Sequence, residues 1–137
     1  MVKILHSDAQ PNRLPALLAL FKTKWPDFES TLLGDDFPSP LLLLSEAGAL
    51  VGGLSFTTAQ LPQDLTQAVW INAVMVRPHF QRRGFASQLV DQGCQVAKVY
   101  GAGRLYVYTD VPTLYTKLGW EAVTSDSGGS VFTKAMI

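Results

Sequence analysis

The sequence predicts a mixed α/β fold (α+β in organisation), a β-sheet flanked by helices in the order βααβββαβαββ. Three observations carry that prediction. A chain of 137 residues with 47% apolar content has the size and composition of one hydrophobic core. Two segments, 14–25 and 85–100, repeat apolar residues close to every 3.6 positions. The other apolar stretches are short and fenced by turn formers, as strands are. No repeat, low-complexity segment or linker divides the chain, so residues 1–137 read as a single domain.

In order, Val2 to His6 reads as the first strand. Asp8 is placed to cap the first helix, with Pro11 tolerable in a first helical turn. Leu14, Leu17, Leu18, Phe21 and Trp25 then mark one apolar helical face, which Pro26 ends. Phe28 to Leu33 is expected to form a short second helix stopped by Gly34, with a loop from Asp35 to Pro40 after it. Leu41 to Glu46 and Ala49 to Gln60 read as a hairpin across Ala47-Gly48, with Val69 to Val76 as the next strand. A basic loop, Arg77 to Gly84, leads into a helix that runs to Tyr100. That helix is expected to bury Leu89, Val90, Val96, Ala97 and Tyr100. Leu105 to Thr109 is a strand and Val111 to Leu118 a short helix closed by Gly119. Trp120 to Thr124 and Ser130 to Met136 form a terminal hairpin through Gly128-Gly129.

Charge and cysteine content narrow the function. Eleven basic residues balance eleven acidic ones, so no electrostatic case exists for nucleic acid or an anionic membrane as partner. Cys94 is the lone cysteine, which excludes an intrachain disulfide, and no Cys/His cluster offers a zinc site, so no metal is expected. Met1 to His6 lacks the pattern of a secretory leader, and no apolar run approaches the roughly 20 residues that span a bilayer. A soluble, cytoplasmic protein is the expectation.

The most informative segment is Val74-Met-Val-Arg-Pro-His-Phe-Gln-Arg-Arg-Gly-Phe-Ala-Ser-Gln-Leu-Val90. A strand ends at Val76, a basic loop comes next, and a helix begins near Gly84. The first N–H groups of a helix lack intrahelical partners and lie at the positive end of its dipole. Gly84, Ala86 and Ser87 leave those groups open to a phosphate, and Arg82 and Arg83 add charge beside them. Taken alone, the loop fits a pyrophosphate site and a helix start with solvated arginines equally well. It is neither a P-loop, lacking Gly-Lys-Ser/Thr, nor a three-glycine dinucleotide fingerprint.

Two motifs in order decide between those readings. Gln81-Arg82-Arg83-Gly84-Phe85-Ala86 resembles the Gln/Arg-x-x-Gly-x-Gly/Ala coenzyme A motif of the GNAT N-acetyltransferase superfamily. Val74-Met75-Val76-Arg77-Pro78 resembles that family's fourth strand, and Leu114-Tyr115-Thr116-Lys117-Leu118-Gly119-Trp120 its aromatic-Tyr-x-Lys-Leu-Gly-Phe/Trp segment. The similarity is clear from about Leu41 onward and faint before it. The resemblance implies a bulged fourth strand splayed from the fifth, and acetyl-coenzyme A as acetyl donor. It implies that backbone groups of Val74, Met75 and Val76 hold the pantetheine arm and polarise the thioester. Gln81, Arg82, Arg83, Gly84, Phe85, Ala86 and Ser87 would hold the pyrophosphate, with Arg77 as a further candidate. Tyr115 would protonate the departing thiolate, since a phenol of pKa about 10 carries its proton at neutral pH. The alternative for Tyr115 is packing on one face of a short helix.

One part of the pattern is missing. Many relatives carry a carboxylate on the fourth strand as general base, where this chain has Asn72 and Ala73. Asn72 is able to orient a water or the substrate; Glu46, Asp64 and Asp110 are remote candidates, and none is nominated. Cys94 lies among apolar helix neighbours that raise a thiol pKa, so direct transfer without an acyl-enzyme is the expected route. His6 and His79 have no partner cluster. Asp35 and Asp36 are able to attract a cationic amine, but two acids in a turn are ordinarily just solvated. The implied partner is a primary amine of a small molecule or peptide, and a homodimer is left open. An inactive coenzyme A-binding module of the same fold, and an unrelated nucleotide-binding domain, are the competing readings.

Overall fold

Leu41, Leu42, Leu43 and Leu44 are all buried, and they set the plan of the molecule. They form strand β2 (Leu41–Leu44), in which successive side chains point to opposite faces. Leu41 and Leu43 join the cluster that holds Leu89 and Val90, whereas Leu42 and Leu44 join Leu17, Leu20 and Phe21. A strand apolar on both faces needs cover on both. Helix α1 (Leu14–Lys24) covers one face, and α2 (Phe85–Tyr100) with α3 (Pro112–Lys117) the other.

The computed structural model describes residues 2–29, 31–126 and 128–136. Among these, seven strands form a sheet in the order β1-β2-β3-β4-β5-β7-β6. The others are β1 (Lys3–His6), β3 (Leu50–Gln60), β4 (Gln67–Val76), β5 (Arg104–Thr109), β6 (Glu121–Ser125) and β7 (Ser130–Ala135). All neighbouring pairs are antiparallel except β4 and β5. No helix among the described residues is long and apolar enough to cross a membrane.

Glycines set how closely the helices approach. A Cβ on Gly53 would lie 2.4 Å from Leu17 Cδ1, so β3 admits α1 only because that side chain is absent. A Cβ on Gly93 would stand 3.1 Å from Leu54 Cδ1, so α2 lies close on the other face. Leu17, Leu20 and Phe21 are at most 1% exposed, and each such burial stabilises by about 1.5–3 kcal/mol.

Three expectations are corrected. The helix expected over 28–33 is absent; its described residues are irregular, so the observed order is βαβββαβαββ. Six residues rarely sustain a helix without packing along one face. Here Phe28 instead packs 5.3 Å from Phe21, Leu32 joins the α1-side cluster, and Leu33 is exposed. Asp8 does not cap α1. Its amide bonds His6 Nδ1 at 3.4 Å, and short 3-10 turns at Ser7–Ala9 and Pro11–Arg13 precede the helix. Tyr100 is 44% exposed and Val96 only half-buried, because the buried stripe of α2 runs through Leu89, Val90, Gly93 and Ala97. The Tyr100 hydroxyl donates instead to the Asp35 carbonyl at 2.6 Å.

Candidate active site

Strands β4 and β5 start as neighbours and then part. Val69, Trp70 and Ile71 pair with Leu105, Tyr106 and Val107, and the pairing stops there. From Asn72 to Val76, β4 keeps β3 on one side, while the end of β5 keeps β7. The β5-facing edge of β4 is thereby left without a strand. A cavity of about 1310 Å³ opens along this split, from the end of α1 to the start of α2. Its volume exceeds the ~300–1,000 Å³ of a usual small-ligand pocket, which suits two substrates better than one.

A bulge accompanies the split. Ser55 pairs with Ala73 and Phe56 with Ile71, so Asn72 is an extra residue on β4. Faces shift accordingly: Ile71, Val74 and Val76 pack with the α2 cluster, and Ala73 and Met75 with the α1 cluster.

At one end of the cavity lies the start of α2. Gly84 is its N-cap at φ 82°, with no side-chain capping bond. The amides of Phe85, Ala86 and Ser87 stand in the first turn, where no helical carbonyl precedes them. A Cβ on Gly84 would meet nothing within 4 Å, so the approach to these amides is open. Arg82 also has positive φ, at 65°, alone among the described non-glycine residues. A left-handed conformation costs an L-residue about 1–2 kcal/mol, and residues held this way concentrate at binding sites. An anion fits here: donors without partners, a helix dipole, one arginine beside them and room to enter.

The structure places the remaining sequence candidates with different degrees of freedom. Val74, Met75, Val76, Gln81, Arg82, Gly84, Phe85, Ala86 and Ser87 line the cavity. Gln81 is already engaged, donating through Nε2 to the Val76 carbonyl at 2.8 Å, and so ties the loop to β4. Arg77 lines the cavity too, yet its Nε donates to the Leu50 carbonyl at 3.1 Å. Arg83 is not part of the lining; its guanidinium lies 5.6 Å over the Phe80 ring. Asn72 and Asp110 belong to the lining, whereas Glu46, Asp64, His6 and His79 do not.

Tyr115 comes from α3 and belongs to the cavity wall. It is 2% exposed, packed edge-on against Trp120 at 5.1 Å and stacked on Phe132 at 6.0 Å. Gly119, at φ 82°, and the Trp120 amide bonding the Tyr115 carbonyl at 3.0 Å end this helix, and Lys134 Nζ donates to the Leu118 carbonyl at 2.8 Å. The Tyr115 ring is thus fixed by two aromatic side chains and a closed helix end. Burial, with a smaller contribution from Cys94, pushes its hydroxyl above the ordinary phenol value. Cys94 lies outside the cavity lining, and burial pushes its thiol up to about 11 against an opposing pull from Lys134. It is a thiol at neutral pH.

The far end was not legible in the sequence. Thr23, Lys24 and Trp25 of the α1 terminus reach it, with the Thr23 hydroxyl 3.7 Å from Met75 Sδ. Tyr108 and Gly128 line the cavity as well; the Tyr108 hydroxyl donates to Asp126 Oδ1 at 3.1 Å, and the same oxygen accepts the amides of Gly128 and Gly129 at 2.7 and 2.9 Å. These bonds hold the Asp126 carboxyl below the usual carboxylate range. An Asp two and three residues before two glycines is an Asx-turn signal, readable in principle. That it anchors to Tyr108 is not.

The family model of the Acetyltransferase (GNAT) family matches residues 4–120. The chain belongs to the GNAT acetyltransferase family. GNAT structures share its fold at low identity. An N-acetyltransferase from Staphylococcus aureus Mu50 superposes with a TM-score of 0.74 at 15% identity, covering 100% of this chain and 99% of the other. The yncA protein of Salmonella typhimurium, solved with its cofactor acetyl-CoA, gives 0.74 at 14% identity, covering 100% and 95%. The GNAT family N-acetyltransferase YhbS of Escherichia coli, in complex with CoA, gives 0.70 at 16%, covering 100% and 81%. No curated protein matches the sequence. A GNAT fold with a bulged and split β4 is what the resemblance of the motifs implied.

Proposed function

We propose that the protein is an acetyl-CoA-dependent N-acetyltransferase acting directly on a primary amine of a small molecule or peptide. The observation that carries this reading is the continuity of one cavity. The open α2 terminus, the unpaired edge of β4 and the Tyr115 ring all line it. GNAT membership supports acetyl transfer in general.

On this reading Phe85, Ala86 and Ser87 donate their amides to the donor's pyrophosphate, with Arg82 adding charge. The edge of β4 from Val74 to Val76 holds the pantetheine arm, and a β4 N–H faces the thioester carbonyl oxygen where charge develops. The amine nitrogen forms a bond to the acetyl carbon, the carbon–sulfur bond breaks, and the sulfur leaves with the electron pair. Tyr115 supplies a proton to that sulfur, and the proton shed by the nitrogen passes through solvent to restore the Tyr115 hydroxyl, so the products are an amide and a thiol. Tyr115 is a weaker acid than a thiol of pKa about 8.5. Its proton is therefore shared with the sulfur during bond breaking and does not leave it early. No acyl-cysteine is formed, since Cys94 is protonated and off the cavity.

The rival reading, a coenzyme A-binding module without turnover, draws on Asn72 and Ala73 standing where a carboxylate base would serve. Thiol release from acetyl-CoA, monitored across a panel of amines, separates the two. An acetyltransferase releases thiol in step with acetylated amine; a pure binder binds acetyl-CoA and releases none. Displacement of bound acetyl-CoA by ATP at similar concentration would instead support a nucleotide site.

A further inference from the structure

Helix α3 is six residues long, too short to hold its shape or its place by propensity alone. The Thr116 hydroxyl donates to the Pro112 carbonyl, and the Val111 amide to Thr109 Oγ1. The Leu118 and Trp120 amides both donate to the Tyr115 carbonyl. All of these bonds lie within residues 109–120. They shape the helix without fixing where it sits on the sheet. From the sheet, two side chains of β7 grip it. Phe132 and Lys134 are two residues apart on that strand and so share the face toward α3. Phe132 stacks on the Tyr115 ring, and Lys134 Nζ donates to the Leu118 carbonyl at 2.8 Å.

The two grips differ in stiffness. Paired aromatic rings are content with centroids anywhere from about 4.5 to 7 Å apart, so the stack alone lets the Tyr115 ring slide. A hydrogen bond weakens steeply as its length or angle departs from the optimum. Leu118 is the C-cap of α3, and the last carbonyls of a helix lack intrahelical partners and carry partial negative charge. An ammonium is the matching group. It lies over Gly119, where an added Cβ would stand 3.6 Å from Nζ. Among the described residues, this is the one hydrogen bond that reaches residues 111–119 from outside 109–120. Neither Leu118 nor Lys134 lines the cavity, so Lys134 touches no substrate.

Resting on the acetyl-transfer reading with Tyr115 as proton donor, we propose that Lys134 is a positioning residue of the reaction. Its bond to the Leu118 carbonyl stops α3 from sliding along the sheet and so keeps the Tyr115 hydroxyl on the departing sulfur. A reacting group misplaced by about 1 Å costs on the order of 10²-fold in rate. Because Lys134 acts through the hydroxyl, its loss cannot cost more than loss of the hydroxyl itself.

The test is a double-mutant cycle on thiol release from acetyl-CoA, with the fastest of propylamine, alaninamide and spermidine as acceptor. Lys134→Met keeps an unbranched stem and loses the donor. It should lower kcat about tenfold, with the Kd of acetyl-CoA unchanged and Tm only slightly lower. Lys134→Arg, which keeps a cationic donor, should restore most of the rate. In Tyr115→Phe there is no hydroxyl left to place. Lys134→Met should there cost less than about twofold, since residues acting through one group are not additive. A merely structural lysine would cost the same in both backgrounds. Parental kcat in Lys134→Met overturns the proposal, and so does an equal fold loss in Tyr115→Phe. Should Lys134→Met melt far below the parent, Lys134→Gln takes its place in the cycle. Full activity of Tyr115→Phe overturns the proposal and leaves acetyl transfer standing. Thiol release with none of the three amines, despite acetyl-CoA binding, overturns the acetyl-transfer reading and this proposal with it.

Discussion

The two ends of the cavity are made of different material. At the α2 end, main-chain amides, a left-handed glycine and a left-handed arginine shape the surface, all within residues 82–87. At the α1 end the wall is side chains drawn from α1, β4 and the end of β5, with Gly128 of the β6–β7 turn beside them. The first is a local device, because a backbone conformation is set by a few neighbouring residues. The second exists only once distant elements have packed. On the reading proposed above, donor recognition sits in the first and acceptor choice in the second, so the fold can keep its donor while side chains at the other end change.

Substitutions that touch one end and spare the other sharpen that contrast. The largest effect is expected where the ends meet. Tyr115→Phe removes the hydroxyl and keeps the ring packed between Trp120 and Phe132. A positioned proton donor is worth about 10²- to 10⁴-fold in rate, and a fair leaving group places the loss near the lower figure. The expected pattern is a fall in kcat, an unchanged Kd for acetyl-CoA and an unchanged Tm. Full activity would make Tyr115 a packing residue. The pH–rate profile adds a second check. The hydroxyl titrates above its ordinary value, so loss of its proton causes no decline in rate up to about pH 9.5.

Ser87→Asp probes the α2 end. The third helical position favours an acid, so the helix keeps or gains stability of about 0.3–1 kcal/mol. The same charge repels a pyrophosphate. Acetyl-CoA should bind about tenfold or more weakly, more so at low salt, with Tm held or raised. Undiminished binding would move the phosphates elsewhere. Gly84→Val is the less clean variant, because Gly84 sits at φ 82° and a β-branched residue there is strained whatever the ligand does.

The smallest effect belongs to the α1 end. Asp126→Ala releases the β6–β7 turn from Tyr108 and from two amides. KM for the acceptor should rise a few fold, with the Kd of acetyl-CoA unchanged. The Asp126 carboxyl titrates below its unfolded value of about 3.9. Its contribution to stability is thus fully present above about pH 4 and fades as pH falls through the lower folded value. A thermal melt at pH 3 should find parent and Asp126→Ala closer together than at pH 7.

The same division explains what the sequence reveals. The strand before Arg77, the glycine at 84, the helix behind it and the Tyr115 segment are legible because each carries its own local pattern. The helix expected over 28–33 fails for the opposite reason. Phe28 and Leu32 have helical spacing, but they are drawn to Leu17, Leu20 and Phe21, which the local pattern does not contain. Tyr100 has the spacing of a core residue, and its hydroxyl finds the carbonyl of Asp35, a partner 65 positions away. Arg83 reads like Arg82 in sequence; only the fold sets one in the cavity and the other over Phe80.

The extra residue at 72 also fixes how this strand tolerates length change. Because side chains alternate along a strand, removing one residue reverses the face of everything beyond it up to the next irregularity. A deletion at 72 itself is the exception: it would join Ile71 to Ala73 in regular alternation and keep Val74 and Val76 toward α2 and Met75 toward α1. Deletion at 72 removes the bulge and one side chain, whereas deletion of Val74 would turn Met75 and Val76 to the opposite faces. Loss of the bulge residue should therefore be tolerated by the core better than loss of a neighbour such as Val74, with the change felt at the split edge of β4.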